Sequence, residues 1–440
     1  MSLKLKLPSC LKRIEREDKI LFFNPDIPAW LVTNYNGALL LSFCDGKNSI
    51  SDILDALADS KGIDEARKAK IFFDEAIKSG IFEEPILHTI PIKKEQQKLS
   101  LVQFSISSKC NLNCKYCYAT DRVESLYPKM NLNEYKRVVD DITGYSNGTE
   151  FTLTGGEPLL NEDVFDIALY IRSRHSSVDL LTNGTLITQD NIERIKEAFS
   201  KVSMSLDGST REQHELFRGD GSYDKTMKAI DLLDSHGIPC RLSMTVNRMN
   251  IKDVESMARK YGDRLSFQPL FPAGNAKKSD EDISITGKEY YDALKNAYGV
   301  NPMGYCEPTL DASRQKRRCK CAIGGSELSI SETGDVYPCQ LLHYPQFLIG
   351  NIHKDKVSDL HKNSPVVRQC SEMVVDNIKG CDTCFLRYVC GGACRARAFH
   401  ECSDILSCGS FCEYEKEAFV DGIFEIYSSN FINNSRKSVD

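Results

Sequence analysis

The sequence predicts an α/β fold: a partial (β/α)6 barrel with an N-terminal winged-helix-like domain and a C-terminal cysteine-rich domain. Three observations carry this. Residues 100–300 alternate strand-like and helix-like patterns in six successive units, which implies a parallel sheet covered by helices. Residues 1–92 hold short apolar runs, then amphipathic helical patterns, with no cysteine cluster. Of the 18 cysteines, 12 lie from Cys306 onward. A chain of 440 residues suits two or three domains, here placed at 1–92, 100–300 and 301–440.

In the first unit, Ile20–Phe23 and Ala29–Val32 read as strands separated by the turn signal Asn24-Pro25-Asp26. Gly37–Phe43 reads as a helix stopped by Asp45-Gly46. Ser49 or Ser51 can cap a second helix, and Asp64 a third that closes at Gly80. Ile81–Pro85 returns as a strand, the wing, and Lys93–Lys98 is a solvated linker. In the second unit the expected strands are Leu101–Ser107, Glu150–Leu153, Val178–Leu181, Val202–Leu206, Cys240–Val246 and Leu265–Leu270. Helices are expected at Leu132–Tyr145, Val164–Ser173, Ile192–Phe199, Ser222–His236, Val254–Tyr261 and Lys288–Tyr298. Right-handed crossovers curl such a sheet into a barrel or partial barrel, with reactive groups past the carboxyl ends of the strands. Beyond residue 301 periodicity weakens, so metals rather than a large core are expected to hold that region, with a helix returning at 413–428.

A net charge of −6, from 56 basic and 62 acidic residues, argues against a general nucleic-acid surface. No apolar run is long enough to span a membrane, and the N-terminus lacks the apolar core of a secretory signal. A cytoplasmic location is expected, with neither nucleic acid nor membrane as partner. Cytosolic thiols stay reduced, so the cysteines point to metal and not to disulfides. Cys10, Cys44 and Cys240 stand alone in apolar contexts and read as core residues.

Cys110, Cys114 and Cys117 follow the first barrel strand as C-N-L-N-C-K-Y-C. Three thiolates on one loop leave one iron of a cubane without a protein ligand, and an open metal position is a place for chemistry. The competing reading, a zinc knot, usually pairs two C-x-x-C elements, and no fourth ligand is near. The loop, with Tyr116 before its last cysteine, resembles the signature of radical S-adenosylmethionine (SAM) enzymes. The resemblance implies that SAM chelates the spare iron and that an electron from the cluster splits it to a 5′-deoxyadenosyl radical.

Further strand ends extend the resemblance. Gly155-Gly156-Glu157 resembles the GGE motif that holds the SAM amino group. Two glycines let backbone approach a ligand, and Glu157 is an anionic acceptor. His214–Gly219 resembles an H-x-x-x-R-G stretch, which makes Ser205 and Arg218 candidates for the SAM carboxylate. Asn247 is then a candidate for the ribose hydroxyls, and Asn183 for lining the pocket. The plainer reading of these polar residues is as loop caps and turns.

The C-terminal spacing fits C-x9–15-G-x4-C through Cys321, Gly334 and Cys339, then C-x2-C-x5-C-x3-C through Cys381, Cys384, Cys390 and Cys394, with Cys412 last. This resembles the SPASM domain, and so a cysteine-rich iron–sulfur domain with two auxiliary 4Fe-4S clusters, three in all. The resemblance assigns Cys381, Cys384, Cys390 and Cys412 to one cluster and Cys321, Cys339 and Cys394 to the other. A fourth ligand for the latter stays open: Cys319 and Cys306 are candidates, and the alternative is an open iron held by substrate or solvent. Cys402 and Cys408 are spare, and Cys408 competes with Cys412.

At the N-terminus, Trp30, Asn34-Tyr35-Asn36-Gly37 and Cys44-Asp45-Gly46-x-x-Ser49-Ile50 resemble the leader-peptide recognition element of pathways for ribosomally synthesised, post-translationally modified peptides. That element takes a leader as an added strand. Together the three resemblances imply a radical SAM peptide maturase. Its partners would be a precursor peptide with a leader and an electron donor such as flavodoxin or ferredoxin. Its product would be a thioether, carbon–carbon or carbon–oxygen crosslink. Competing readings are a maturase of a folded protein, of the sulfatase or quinone-cofactor type, a peptide-binding scaffold with structural clusters, and a DNA-binding redox regulator. The catalytic base is unassigned.

Overall fold

The computed structural model of the chain describes residues 3–82, 98–122, 125–279, 282–298 and 317–436. Its first unit is an antiparallel sheet in the order β1 (Lys12–Arg16), β2 (Lys19–Asn24) and β3 (Ala29–Asn34). Helices α1 (Tyr35–Ser42), α2 (Ile50–Lys61) and α3 (Ile63–Lys78) follow. The expected turn forms because the Asn24 side chain accepts from the Asp26 and Ile27 amides at 3.1 and 3.3 Å. Ser49 caps α2 in a full capping box with Asp52. Asp64 does not cap α3: Gly62 takes that position, and Asp64 sits in the first turn, where its charge suits the helix dipole. β1 was not expected, because Lys12–Arg16 carries a single apolar residue, Ile14. Of the expected wing, Ile81 and Phe82 form a turn. The remainder of it, and the linker before Lys98, lie outside the described residues.

The two faces of this small sheet are spent differently, as strand alternation requires. Ile20, Phe22 and Leu31 pack with Leu41 of α1 and Ala76 of α3. Leu21, Phe23, Trp30 and Val32 instead pack against Leu386, Val389, Phe419, Val420 and Ile423 from the far end of the chain. Phe23 stacks on Trp30 at 5.9 Å between ring centres, and Phe419 meets both rings edge-on at 6.2 and 5.9 Å. Asp26–Arg387 and Asp421–Arg16 ion pairs flank this contact.

The second unit runs β4 (Leu101–Ser107), α4 (Leu132–Tyr145), β5 (Glu150–Gly155), α5 (Val164–Ser173), β6 (Val178–Thr182), α6 (Ile192–Ala198) and β7 (Lys201–Ser205). It continues with α7 (Arg211–Arg218), α8 (Ser222–Ser235), β8 (Cys240–Val246), α9 (Val254–Tyr261), β9 (Leu265–Pro269), α10 (Asn275–Lys278) and α11 (Gly287–Tyr298). The six strands β4 to β9 are parallel and neighbour one another in sequence order. The predicted strands and helices stand at these places; α7 and the short α10 are the additions.

The last unit contributes β10 (Glu327–Ser331), β11 (Asp335–Tyr337), β12 (Gly350–Asn351), α12 (Val357–Asn363), α13 (Pro365–Ser371), α14 (Arg387–Cys390), α15 (Arg395–Cys402) and α16 (Cys412–Arg436). Here the structure corrects an expectation. This region is not held by metals alone: β10 pairs parallel to β4, placing Leu328 opposite Val102 and Ile330 opposite Phe104. β11 and β12 then extend one nine-stranded open sheet. Leu328, Ile330, Val336, Ile349, Ile352 and Phe411 belong to the same apolar core as the barrel strands. Cys306 lies outside the described residues.

The aromatic contact to the N-terminal sheet can be tested alone. Truncating a buried Phe costs roughly 3–5 kcal/mol, so Phe419→Ala should speed amide hydrogen exchange in β2 and β3 while leaving β6 at wild-type rates. Unchanged exchange in β2 and β3 would refute the docking.

Candidate active site

The cysteine loop lies across the carboxyl ends of β4 and β5, and backbone packing sets its position. A Cβ on Gly156 would fall 2.3 Å from the Lys109 carbonyl oxygen, and one on Gly155, at φ +142°, 2.3 Å from that of Ser107. The two glycines thus let β5 close directly onto the cysteine loop. The amides of Gly156 and Glu157 donate to the Ser107 and Lys109 carbonyls at 2.6 and 2.8 Å. The far side of the loop is braced by Asn275, whose amide and side chain donate to the Cys117 and Cys114 carbonyls, both at 2.9 Å. Lys115 donates its amide to Phe217 at 3.0 Å, tying the loop to α7.

Cys110 is exposed, and Cys114 and Cys117 are half-buried. Burial raises the Cys110 thiol above its ordinary range and pushes Cys114 up to about 11, with the neighbouring thiols adding to each shift. Such thiols give up protons to a metal more readily than to solvent. The Cys110 sulfur accepts from the Leu112 amide at 3.4 Å and from the Asn183 side chain at 3.9 Å. Three thiols on one short loop, Cys110 with N–H···S support, fit the donor set of an iron–sulfur cubane with one iron left open. Among the described residues no three His, Cys, Asp or Glu side chains converge on a single-ion position. A four-iron cubane, taking one thiolate per iron, does not require one.

Glu157 is fully buried, and burial raises its carboxyl. It is held by Thr182 Oγ1 at 2.7 Å and by the amides of Asn183 at 2.9 Å and Leu159 at 3.1 Å. A carboxylate has about four lone-pair positions, so three donors orient it and leave one. Asn183 works beside the loop: its Nδ2 donates to Asn111 at 2.9 Å, and its Oδ1 accepts from Thr185.

Arg218 and Tyr116 meet on a residue that the sequence did not mark, Asp207. Asp207 is fully buried and accepts from Tyr116 Oη, from Arg218 Nε and, at 2.7 Å, from the Thr245 amide. Arg218 Nη2 also donates to Tyr116 Oη at 2.7 Å. Its Nη1 makes no hydrogen bond among the described residues. His214 closes the group: its Nδ1 accepts from the Asp207 amide at 3.3 Å, and burial lowers its pKa to about 4, so it is neutral. Asn247 is buried and its side chain shapes a turn, accepting from Met249 at 3.0 Å and donating to Thr245 at 3.3 Å. Ser205 ends β7, half-buried, opposite Ser243. Asn111, Thr182 and Asn275 carried no motif. Asp207 had one signal, an acid just past a strand end, eleven residues before Arg218.

In the last unit, burial raises the Cys381, Cys390 and Cys412 thiols, and the nearby Cys384 and Cys408 add to the shifts of Cys381 and Cys412. Cys339 feels Cys394 and Cys321 in the same way. Cys319 packs with Val375, Ile378, Cys381, Tyr388 and Cys408. Between the barrel mouth and α15 lies a cavity of about 550 Å³ lined by Leu270, Ala276, Asp282, Arg397 and Glu401 among others.

Known proteins place these features. The Radical SAM superfamily model matches residues 104–261, and the SPASM iron-sulfur cluster-binding domain model matches residues 319–385. The AdoMet-dependent heme synthase of Methanosarcina barkeri is 28% identical over 345 residues, 71% of this chain and 96% of that protein. The antilisterial bacteriocin subtilosin biosynthesis protein AlbA of Bacillus subtilis is 30% identical over 279 residues, 60% of each. In fold, the crystal structure of Streptococcus suis SuiB bound to precursor peptide SuiA matches with a TM-score of 0.56 at 15% identity, over 93% of this chain and all of that one. The chain therefore carries a radical SAM domain followed by a SPASM domain, and it is an enzyme of radical chemistry with SAM and 4Fe-4S clusters as cofactors.

Proposed function

We propose that this enzyme is a maturase that crosslinks a ribosomally synthesised peptide. The observation that carries the reading is the N-terminal βββααα unit, which is seated on α14 and α16 beside Cys384, Cys390 and Cys412. The outer edges of β1 and β3 have no strand partner among the described residues, and such edges take an added peptide strand. SuiB, which shares the fold along nearly the whole chain, is solved with a precursor peptide. A leader strand on this sheet would leave the core peptide to reach the cavity beside Arg397 and Glu401.

In this reading Cys110, Cys114 and Cys117 hold the cluster that binds SAM, which when bound supplies a one-electron route to hydrogen-atom abstraction. Glu157 offers its remaining lone pair to the SAM amino group. Arg218, anchored on Asp207 and Tyr116, presents Nη1 to the carboxylate beside Ser205. Asn183 and Asn247 shape the strand-end turns that border this pocket. The Cys321 group and the Cys381 group hold two auxiliary clusters, and a small electron-transfer protein supplies the electron.

A second reading has its own observation: AdoMet-dependent heme synthases match over about 71% of the chain. A porphyrin titration separates the two, since the heme reading requires a Soret shift on binding.

Co-expression with a short open reading frame adjacent to the gene should give a peptide lighter by two hydrogens, by mass spectrometry. Cys114→Ala should yield the unmodified mass while still retaining the peptide on a column. An unmodified peptide with the wild-type enzyme would contradict the maturase reading. Breaking a buried ion pair costs about 3–5 kcal/mol. Asp207→Asn should therefore lower the melting temperature and weaken SAM binding by equilibrium dialysis; wild-type values for both would remove Asp207 from the account.

A further inference from the structure

We propose that Cys370 is the fourth protein ligand of the auxiliary cluster held by Cys321, Cys339 and Cys394. The inference rests on that three-cysteine assignment and goes beyond it, because no spacing motif includes Cys370.

Cys370 lies near the end of α13, only 2% exposed. It faces Gly324, three residues past Cys321: a Cβ built there would stand 2.8 Å from the Cys370 Cβ and 3.2 Å from its sulfur. The turn after Cys321 thus closes over this thiol with only a glycine's clearance. Cys370 and Cys339 belong to one buried cluster with Ile323, Tyr337 and Leu342, and Cys321 packs against it. The Gly324 amide also donates to the Pro338 carbonyl at 3.1 Å, so the turn past Cys321 and the residue before Cys339 meet beside Cys370. Lys320 reaches the same place, with its ammonium 3.5 Å from the Ser371 carbonyl oxygen.

The plain alternative is a buried core cysteine, and Cys44 shows what one looks like here. It is equally hidden, packs with Ile53 and Phe73, and feels Asp45 but no thiol. Cys319, one of the two candidates from the sequence (the other, Cys306, lies outside the described residues), sits instead among Val375, Ile378, Cys381 and Tyr388, and its carbonyl accepts from the Val375 amide at 2.8 Å. Four thiolates would close the coordination of this cluster, leaving it to pass electrons and not to bind substrate.

The test compares anaerobically purified full-length protein with its Cys370→Ala, Cys370→Ser, Cys319→Ala and Cys321→Ala variants, by iron analysis and electron paramagnetic resonance of the oxidised and reduced states. Cys370→Ala should lose iron and show a three-iron signal, and Cys370→Ser should keep its iron with an altered reduced spectrum. Cys319→Ala should match wild type. Wild-type iron and spectra in both Cys370 variants would overturn the inference, as would a three-iron signal from Cys319→Ala. If Cys321→Ala also matched wild type, the three-cysteine assignment beneath it would fall instead.

Discussion

One buried carboxylate ties the cysteine loop to the barrel. Asp207, past the end of β7, accepts at once from Tyr116 on the loop, Arg218 at the end of α7 and the Thr245 amide of β8. Its own carbonyl accepts from Asn250 at 3.0 Å. A charge removed from water is tolerable only when its partners and hydrogen bonds are complete, and here the carboxylate's partners are drawn from three chain segments. The loop that carries Cys110, Cys114 and Cys117 therefore has its place fixed by electrostatics on one side and by the Gly155-Gly156 backbone on the other. Preorganisation of this kind is what a site for a reactive species requires.

The barrel strands were legible because apolar residues recur at alternate positions, as in Lys201–Ser205 and Cys240–Val246, whose buried positions alternate too, and Leu101–Ser107 and Cys240–Val246 have the predicted bounds. Helix α7 was not legible: Arg-Glu-Gln-His-Glu-Leu-Phe-Arg offers only Leu216 and Phe217 to a hydrophobic pattern, and beside Phe217 its buried residues are the polar His214 and Arg218. The strands β10 to β12 were hidden for a different reason. They are short, and the strand that joins them to the sheet, β10, pairs with β4 more than two hundred residues earlier, a distance over which local pattern carries no information.

Several motif residues turned out to act locally. Asn34 caps α1 through the Gly37 amide at 3.0 Å, Asp45 accepts from Lys47 at 2.8 Å, and Ser49 closes a capping box. Trp30 docks the sheet onto Phe419. The words that resembled a leader-binding element are thus instructions for folding this small unit, which is why they were readable from local sequence. Gly155 and Gly156 likewise serve the approach of β5 to the cysteine loop. Asp207 was passed over because its function depends on a partner contributed by α7, and no spacing rule announces a tertiary ion pair.

The central claim is that the loop of Cys110, Cys114 and Cys117 leaves an iron open for SAM. Pulsed electron–nuclear double resonance on anaerobically reduced protein, with SAM labelled with 15N at its amino group, tests it directly. The account predicts a hyperfine coupling between the label and the reduced cluster. Zinc in place of iron on this loop, or a reduced cluster with no coupling at saturating SAM, would contradict it.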